Sequence, residues 1–485
     1  MSGRTNPTRR PEELVVSSNF IRAVRESGYV SLATALAELI DNSIQAGATE
    51  IELTIARPDG ALHPEIEVLD NGAGMSRREL ELCLKFGGSS RFDRRESFGR
   101  FGMGLPAASL SQARHVEVAA WQDGGPALAV TLDVDAIVAG DPPALKARST
   151  TSPATPSGCR VTWRTCDRIE YRRLGWLERS LRRDLGRMYR RFLSEGLKVS
   201  LNGRLLEPED PMMMSTRIEG EVATLAFTPL AYELRTPDGG SGWVHVRFAS
   251  LPVHRWHHLD NMTKRRIGIV GGGGVSVLRA GREIAHGWHL MGGKRRENYD
   301  DWWRCEIEFE PTLDDHFGIT INKQGIRPST ELREALEPEL ESIARMLNSR
   351  VRQSFEDVKF EAAAEISCRV AATADPELPV VRDGRGHGRG PLSYRISTAQ
   401  LTPDLLFATS LHASTLEVQL NVDHPAFAAL YAPLQALSDG AGAQLRTAVE
   451  LLVLSMARAS LASGEGTDQL LAQWGSTFGR MLQKA

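Results

Sequence analysis

No run of eighteen or more uncharged apolar residues occurs in the 485-residue chain, so no segment is expected to cross a membrane as a helix. Residues 1–14 carry basic side chains but no apolar stretch behind them, so no secretory signal is expected and the cytoplasm is the expected compartment. Cysteine is scarce. Cys83, Cys159, Cys166, Cys305 and Cys368 are odd in number and scattered, with no C-x-x-C pair, which excludes a disulfide framework and a four-cysteine zinc site. An excess of charge is also lacking: 58 basic against 61 acidic residues leave −3 at pH 7. That balance argues against a surface that binds nucleic acid as a whole, while local basic patches stay open. No Walker loop occurs, since Gly292-Gly293-Lys294-Arg295 lacks both the spacing and the hydroxyl. A dinucleotide fingerprint is absent too, because Gly102-x-Gly104-x-x-Ala107 follows a polar loop rather than a strand.

The length exceeds what one hydrophobic core serves, so two or three domains are expected. Up to about residue 165 the periodicity alternates between helix and strand. Ser18 is expected to cap a short helix ending near Gly28, and apolar residues from Leu32 to Ala46 recur at helical spacing. Ile51–Ile55 and Ile66–Val68 alternate as half-buried strands, Ser76 with Glu79 forms a capping box opening a helix toward Phe86, and Val116–Val118 and Arg160–Trp163 read as further strands. This order implies an α/β layer, helices packed on one sheet. A long amphipathic helix is expected over 170–195, with Leu174, Leu177, Leu181, Leu185, Met188 and Phe192 on one stripe and arginines on the other faces. A mixed, strand-rich segment then runs to about 327, followed by a helix from Ser329 to Val358. Composition marks 373–393 as a linker. Beyond it lies a small, mainly helical unit with helices near 425–463 and 467–483.

Three segments carry chemistry. In Glu38-Leu-Ile-Asp41-Asn42-Ser-Ile-Gln45 the polar residues share one helix face. There an amide suits a hard cation and a carboxylate can orient a water. In Asp70-Asn71-Gly72-Ala73-Gly74-Met75 an acidic residue leaves a strand end, able to accept a hydrogen bond from an exocyclic amine, and two glycines let backbone approach a flat ligand. In Phe98-Gly99-Arg100-Phe101-Gly102-Met103-Gly104-Leu105-Pro106 the glycines free backbone N–H groups ahead of a helix whose first residue is expected to be Pro106. Such amides cradle an anion. Taken singly, each has a plainer reading as a solvated helix face, a turn or a loop.

In order and spacing, E-x-x-D-N, D-x-G-x-G and G-x-x-G-x-G closely resemble the motifs of the gyrase, histidine-kinase, MutL and heat-shock-chaperone ATPases, the GHKL superfamily, over about residues 15–165. The resemblance implies a Bergerat-fold ATP-binding domain over 1–167, a transducer-like α/β domain over 168–372 and a C-terminal unit over 394–485. It makes Glu38 the base that activates water, Asn42 the Mg2+ ligand and Asp70 the reader of the adenine amine. Gly72, Gly74 and Met75 line the nucleotide, Gly99, Gly102, Met103 and Gly104 form a lid over its phosphates, and Phe86-Gly-Gly-Ser-Ser90 resembles the start of that lid. Lys323, in Ile319-Thr-Ile-Asn322-Lys323-Gln324, is the implied transducer lysine on the terminal phosphate. The layout is most similar to prokaryotic MORC and MutL-like members, which implies ATP and Mg2+ as cofactors and an ATP-dependent homodimer that closes as a clamp, with DNA as the expected captive. Two positions depart from the family pattern. Cys159 stands where a threonine hydroxyl is usual near the adenine, and Pro106 stands where relatives carry lysine. The first weakens the adenine contact unless a water replaces it, and the second removes a phosphate contact and bears on the rate of hydrolysis, so binding stands on firmer ground than turnover.

Other readings remain. An ATP-gated scaffold or chaperone-like protein without DNA binding is the alternative, whereas a histidine kinase is not expected because no phosphoacceptor helix pair precedes residue 18. The arginines of 170–195 suit DNA phosphates or a solvated face equally. Lys264-Arg-Arg266 and Lys294-Arg-Arg296 are further basic clusters expected on loops, and His254, His257, His258 and Asp260 lack a recognised zinc spacing.

Overall fold

In the computed structural model the described residues are 17–29, 31–88, 103–141, 145–151, 155–169, 173–237, 239–319, 325–378, 390–436, 440–463, 469–472 and 474–475. The chain divides into two compact units, Met1–Pro252 with Leu259–Leu347, and Val253–His258 with Asn348–Ala485.

In the first unit, alternating Ile51, Leu53 and Ile55 make β1 (Glu50–Ala56), and Ile66 and Val68 make β2 (Glu65–Asp70), each burying one face. They are central in a sheet ordered β5-β4-β3-β6-β2-β1-β7-β8. Its other strands are β3 (His115–Trp121), β4 (Leu128–Asp133), β5 (Arg148–Ser149), β6 (Gly158–Arg164), β7 (Lys198–Leu201) and β8 (Arg204–Leu205). The expected strands are present and lengthened, with β4, β5, β7 and β8 added. The pairings are antiparallel except β1 with β7.

Helices α1 (Ser17–Ser27), α2 (Leu32–Gln45), α3 (Arg77–Cys83), α4 (Gly104–Gln112) and α5 (Val134–Ala139) accompany this sheet. Ile21, Leu36, Ile40 and Leu110 enter one core with Leu53, Val68 and Val118. Ser31 caps α2 reciprocally with Thr34, and Ser76 caps α3 with Glu79 as the capping box predicts. Ser18 lies within α1 rather than ahead of it. Arg25 fastens α1 to the end of α4, donating to the Leu110 and Ala113 carbonyls at 3.0 and 2.6 Å.

The helix expected over 170–195 breaks. It forms α6 (Leu174–Met188) and α7 (Arg190–Ser194), joined at Tyr189, whose φ −108°, ψ 15° leaves the helical region. The reason is tertiary: Tyr189 is fully buried, and its hydroxyl reaches the Ala37 carbonyl of α2 at 2.7 Å.

A second sheet in the same unit runs β10-β11-β14-β12-β13, with β9 (Thr224–Leu225) paired to β11. Its strands are β10 (Leu230–Arg235), β11 (Ser241–Ser250), β12 (Val275–Arg279), β13 (Arg282–Gly287) and β14 (Trp303–Phe309). Short helices α8 (Val253–Trp256, in the second unit), α9 (Asn261–Arg266) and α10 (Asp314–Phe317) fall between or after these strands in the chain. Leu332, Leu336, Leu340, Ala344 and Leu347 of α11 (Thr330–Ala374) join Val246, Val277 and Ile307 in its core.

Helix α11 continues past the expected end at Val358. The stretch through Glu361-Ala-Ala-Ala-Glu365 holds strong helix formers and no Gly or Pro before Pro376. In the second unit its residues Phe360 and Ala364 pack with Val453, Leu454 and Ala457 of α13 (Gly440–Ser463), which follows α12 (Ala432–Ala436). That unit adds a sheet to the expected helices: β15 (Ser393–Ala399), β16 (Phe407–His412) and β17 (Thr415–Asn421), ordered β15-β17-β16.

Candidate active site

Asp70 ends β2 beside Ile51 of β1 and Cys159 of β6, so its carboxylate leaves the middle of the first sheet. Three donors hold it. The Ser43 hydroxyl donates to Oδ2 at 2.7 Å, the Gly72 N–H to Oδ1 at 2.9 Å, and the Cys159 N–H to Oδ1 at 3.3 Å. A carboxylate offers about four lone-pair sites, so one acceptor position on Oδ2 remains to meet an amine. Burial raises the Asp70 carboxyl above its ordinary value, and the three donors pull against that rise. Ser43 follows Asn42 on α2, so the first motif's helix also orients the second motif's acid.

The loop after Asp70 is stitched to the end of α2. Asn71 Oδ1 accepts from the Thr49 and Glu50 N–H groups at 2.9 and 3.0 Å, and the Ala73 N–H reaches the Ala46 carbonyl at 2.9 Å. Gly74 sits at φ +68°, and a Cβ there would come within 2.1 Å of the Trp121 carbonyl oxygen. A Cβ on Gly72 would meet Ala46 Cβ at 2.8 Å and Asp70 Oδ1 at 3.1 Å. Both glycines are therefore required by the chain's own backbone, before any ligand is considered. Met75 and Cys159 are half-buried against the core. The Cys159 thiol is pushed well up by burial and then by Asp70, so it stays protonated, a weak donor where a hydroxyl is usual.

Glu38 lies on α2, buried, with its carboxylate against the start of α4: a Cβ on Gly104 would stand 2.5 Å from Glu38 Oε2. A side chain at 104 would require the Glu38 carboxylate to shift. Met103 is the N-cap of α4 and its side chain makes no cap bond, so it leaves the first amides of the helix to another acceptor, as an anion site would need. Pro106 is the third residue of α4, not the first as expected, because the helix starts at Gly104. Asn42 is half-exposed one turn beyond Glu38.

On the polar face of α2, Glu38 and Asp41 are buried and Asn42 and Gln45 half-exposed, where the sequence alone allowed a solvated face. Asp41 is fully buried, and its Oδ1 accepts from Tyr189 Oη at 2.7 Å and from Arg282 Nε at 2.9 Å. Tyr29, ahead of α2, has its hydroxyl raised by burial first and by the Glu38 carboxylate next. Tyr29, Tyr189 and Arg282 escaped the sequence reading. The available signal was an acid on a helix that also carries the core's leucines, which needs a cation from elsewhere. Gly99, Gly102 and Lys323 lie outside the described residues, as do Ser89 and Ser90.

The arginines of α6 and α7 mostly turn inward, correcting the expectation of a basic face. Arg182 bonds Glu178 at 3.0 Å and the Leu201 carbonyl at 2.5 Å. Arg187 and Arg190 bind Glu283 at 2.8 and 2.7 Å, and Arg190 and Arg191 bind Glu306 at 2.6 and 2.9 Å. Arg173, Arg179 and Arg183 remain exposed, with Arg183 beside Asp184 and Arg179 over Trp176. Lys294 is likewise no surface cation, being buried on Asp300 at 2.8 Å. Lys264-Arg-Arg266 forms part of α9, capped by Asp260, rather than a loop. Among the described residues no three His, Cys, Asp or Glu side chains gather as a metal site.

Residues 30–155 match the family described as histidine kinase-, DNA gyrase B- and HSP90-like ATPase. Similar curated proteins are named DNA mismatch repair protein MutL. That of Microcystis aeruginosa is 35% identical over 99 residues, 19% of this chain and 17% of that protein. That of Prosthecochloris aestuarii is 32% identical over 96 residues, 19% and 15% of the two chains. That of Rhizobium rhizogenes is 47% identical over 53 residues, 11% and 8%. The matched stretch covers less than a fifth of either chain. The N-terminal domain is a GHKL-type, MutL-like ATPase domain.

Proposed function

We propose that the protein binds Mg-ATP in its first sheet, hydrolyses it slowly, and uses it to close an N-terminal dimer clamp on DNA. The observation that carries the reading is the Asp70 carboxylate, held by Ser43, Gly72 and Cys159 with one acceptor position to spare, on the strand beside the helix that buries Glu38. Asp70 accepts from the adenine amine. Asn42, half-exposed on α2, supplies one amide oxygen to Mg2+, which otherwise keeps water and phosphate oxygens, so the donors present fit that ion. Held by Asn42, the ion would supply positive charge to offset that of the phosphates. The N-terminal amides of α4 face the phosphates, and Glu38, at the Gly104 contact, takes the proton of the attacking water. Lys323, outside the described residues, is assigned the terminal phosphate on the family resemblance.

DNA is proposed as the captive on the names of the similar proteins, which are DNA mismatch repair proteins. At and on α6 the described residues left to meet phosphate are Arg173, its N-cap, with Arg179 and Arg183. One observation favours the alternative, an ATP-gated scaffold. Pro106 removes a backbone donor from the first turn of α4, beside the proposed phosphates, which costs turnover more than closure.

The test is calorimetry and turnover together. Glu38→Ala should keep nucleotide affinity and lose hydrolysis. Lys323→Ala should lower kcat more than affinity. Absence of heat on titrating ADP or a non-hydrolysable ATP analogue into the wild type would sink the reading. A Glu38→Ala protein that still closes and captures as the wild type does would favour the scaffold.

A further inference from the structure

Asp41 stands on α2 between Glu38 and Asn42, fully buried, and its cation comes from the other sheet. Arg282, itself buried, reaches Asp41 Oδ1 through Nε at 2.9 Å. A buried carboxylate is tolerated only when paired. The Tyr189 hydroxyl donates to the same oxygen at 2.7 Å, and its ring lies 5.8 Å from the guanidinium. Glu38 falls within the field of that guanidinium as well.

Arg282 is held on a stiff element. It opens β13 directly after a two-residue turn, with Ala280 at φ 47° and Gly281 at φ 81°, and pairs across to Arg279 of β12. Both turn residues have positive φ, the pattern of the tight hairpin turn that matches strand twist. The turn rests on α7, since a Cβ on Gly281 would stand 3.7 Å from the Phe192 ring. Arg279 is fixed bidentately on Asp314 of α10 at 2.6 and 2.8 Å. Neighbouring strand residues point to opposite faces, so Glu283 grips Arg187 and Arg190 while Arg282 grips α2.

Stability alone does not ask for this arrangement, because well-packed apolar residues hold two layers together at least as firmly as a buried ion pair. What the pair adds is one defined geometry. The planar guanidinium and its fixed Nε–H set the position of a carboxylate that lies between the proposed base and the proposed metal ligand.

Resting on the ATPase reading above, we propose that Arg282 is a positioning residue: through Asp41 the β12–β13 hairpin sets the placement of Glu38 and Asn42, and nucleotide binding on α2 is felt in the hairpin through the same bond. Misplacing a reacting group by about 1 Å can cost on the order of a hundredfold in rate.

The test measures binding of a non-hydrolysable ATP analogue, steady-state turnover, and amide hydrogen exchange of residues 275–287 with and without the analogue, on the full chain. In Arg282→Met the dissociation constant should stay within about threefold of wild type while kcat falls at least about tenfold. The hairpin's exchange response to the analogue should also disappear. The pair variant Asp41→Asn with Arg282→Met leaves no unpaired buried charge and should behave the same way, which serves if the single variant does not fold. Wild-type kcat with a wild-type exchange response in either folded variant would overturn the proposal. Parallel loss of binding and turnover would overturn it also, by marking a structural role. A wild type that binds no analogue would instead remove the ATPase reading on which the proposal stands. If the wild type binds without turning over, the exchange response alone decides.

Discussion

Asp70 concentrates two demands in one carboxylate: it must accept hydrogen bonds from its own chain and keep an acceptor for a ligand. Asp70→Asn replaces one acceptor oxygen by a donor NH2, against Ser43 or against Gly72 and Cys159. Adenine-nucleotide affinity should fall by roughly tenfold or more in a calorimetric titration. Its pH dependence has a definite sign. Burial favours the protonated form, so Asp70 gains its proton at higher pH than an ordinary carboxyl. Affinity should therefore decline on acidification before a solvent-exposed Asp would protonate, and an affinity flat down to pH 4 would count against the adenine contact. Gly74 makes a separate prediction. With φ +68° and a Cβ position 2.1 Å from the Trp121 carbonyl oxygen, Gly74→Ala should cost roughly 2–4 kcal/mol in urea unfolding. Asp70, Glu38 and Asn42 were legible in the sequence because their spacing is local. Tyr29, Tyr189 and Arg282 were not, because nothing local marks a residue that answers a charge 241 positions away.

At the scale of elements, α6, α7 and β13 are joined by buried charge. Burial would raise Glu306, yet Arg190 and Arg247 overcome it and hold the carboxyl down at about 2. His286 on β13 is lowered to about 4, by burial first and by Arg187, Arg304 and Arg190 after it. Both shifts have the same consequence on acidification. The unfolded chain protonates His286 near pH 6.5 and the folded chain only near pH 4, so that contribution to stability is lost as pH falls across this window. Glu306 adds a second loss between the ordinary carboxylate value and about pH 2. Denaturant midpoints should drop from pH 7 to pH 4. In His286→Leu, which has nothing to protonate, the part of the drop between pH 6.5 and 4 should shrink, and an unchanged profile would remove His286 as its source. The expected continuous helix over 170–195 missed this joint. Its leucine stripe is real, with Leu177, Leu181 and Leu185 buried, but helical periodicity cannot register the tertiary bonds that Tyr189 makes at the break.

For the whole molecule, the clamp makes a claim about assembly. Light scattering should show a monomer-to-dimer shift when the non-hydrolysable analogue is added with Mg2+, and no shift with ADP alone. Captured DNA should be sequence-tolerant and released by salt. Because Arg182 and Arg187 serve internal bonds, reversing them to Glu should damage folding rather than report on DNA. Reversing Arg179 and Arg183 is the informative variant: folding should be kept and DNA retention at low salt reduced. A dimer that retains no DNA under those conditions would leave the clamp standing with a protein as its captive.

By itself the sequence determined the α/β character of the N-terminal domain, its family and the acid, amide and glycines proposed for its site. These rest on periodicity and short spacings, which local backbone geometry converts directly into shared faces and turns. The tertiary structure alone decided that Glu38 and Asp41 on the polar face of α2 are buried, that Arg182, Arg187, Arg190 and Arg191 serve internal bonds, and that Asp41 answers to Arg282. A strand's alternation says that one face will be covered, but which distant side chain covers it is settled only when the sheets pack. The cost of an unpaired buried charge then selects the partner.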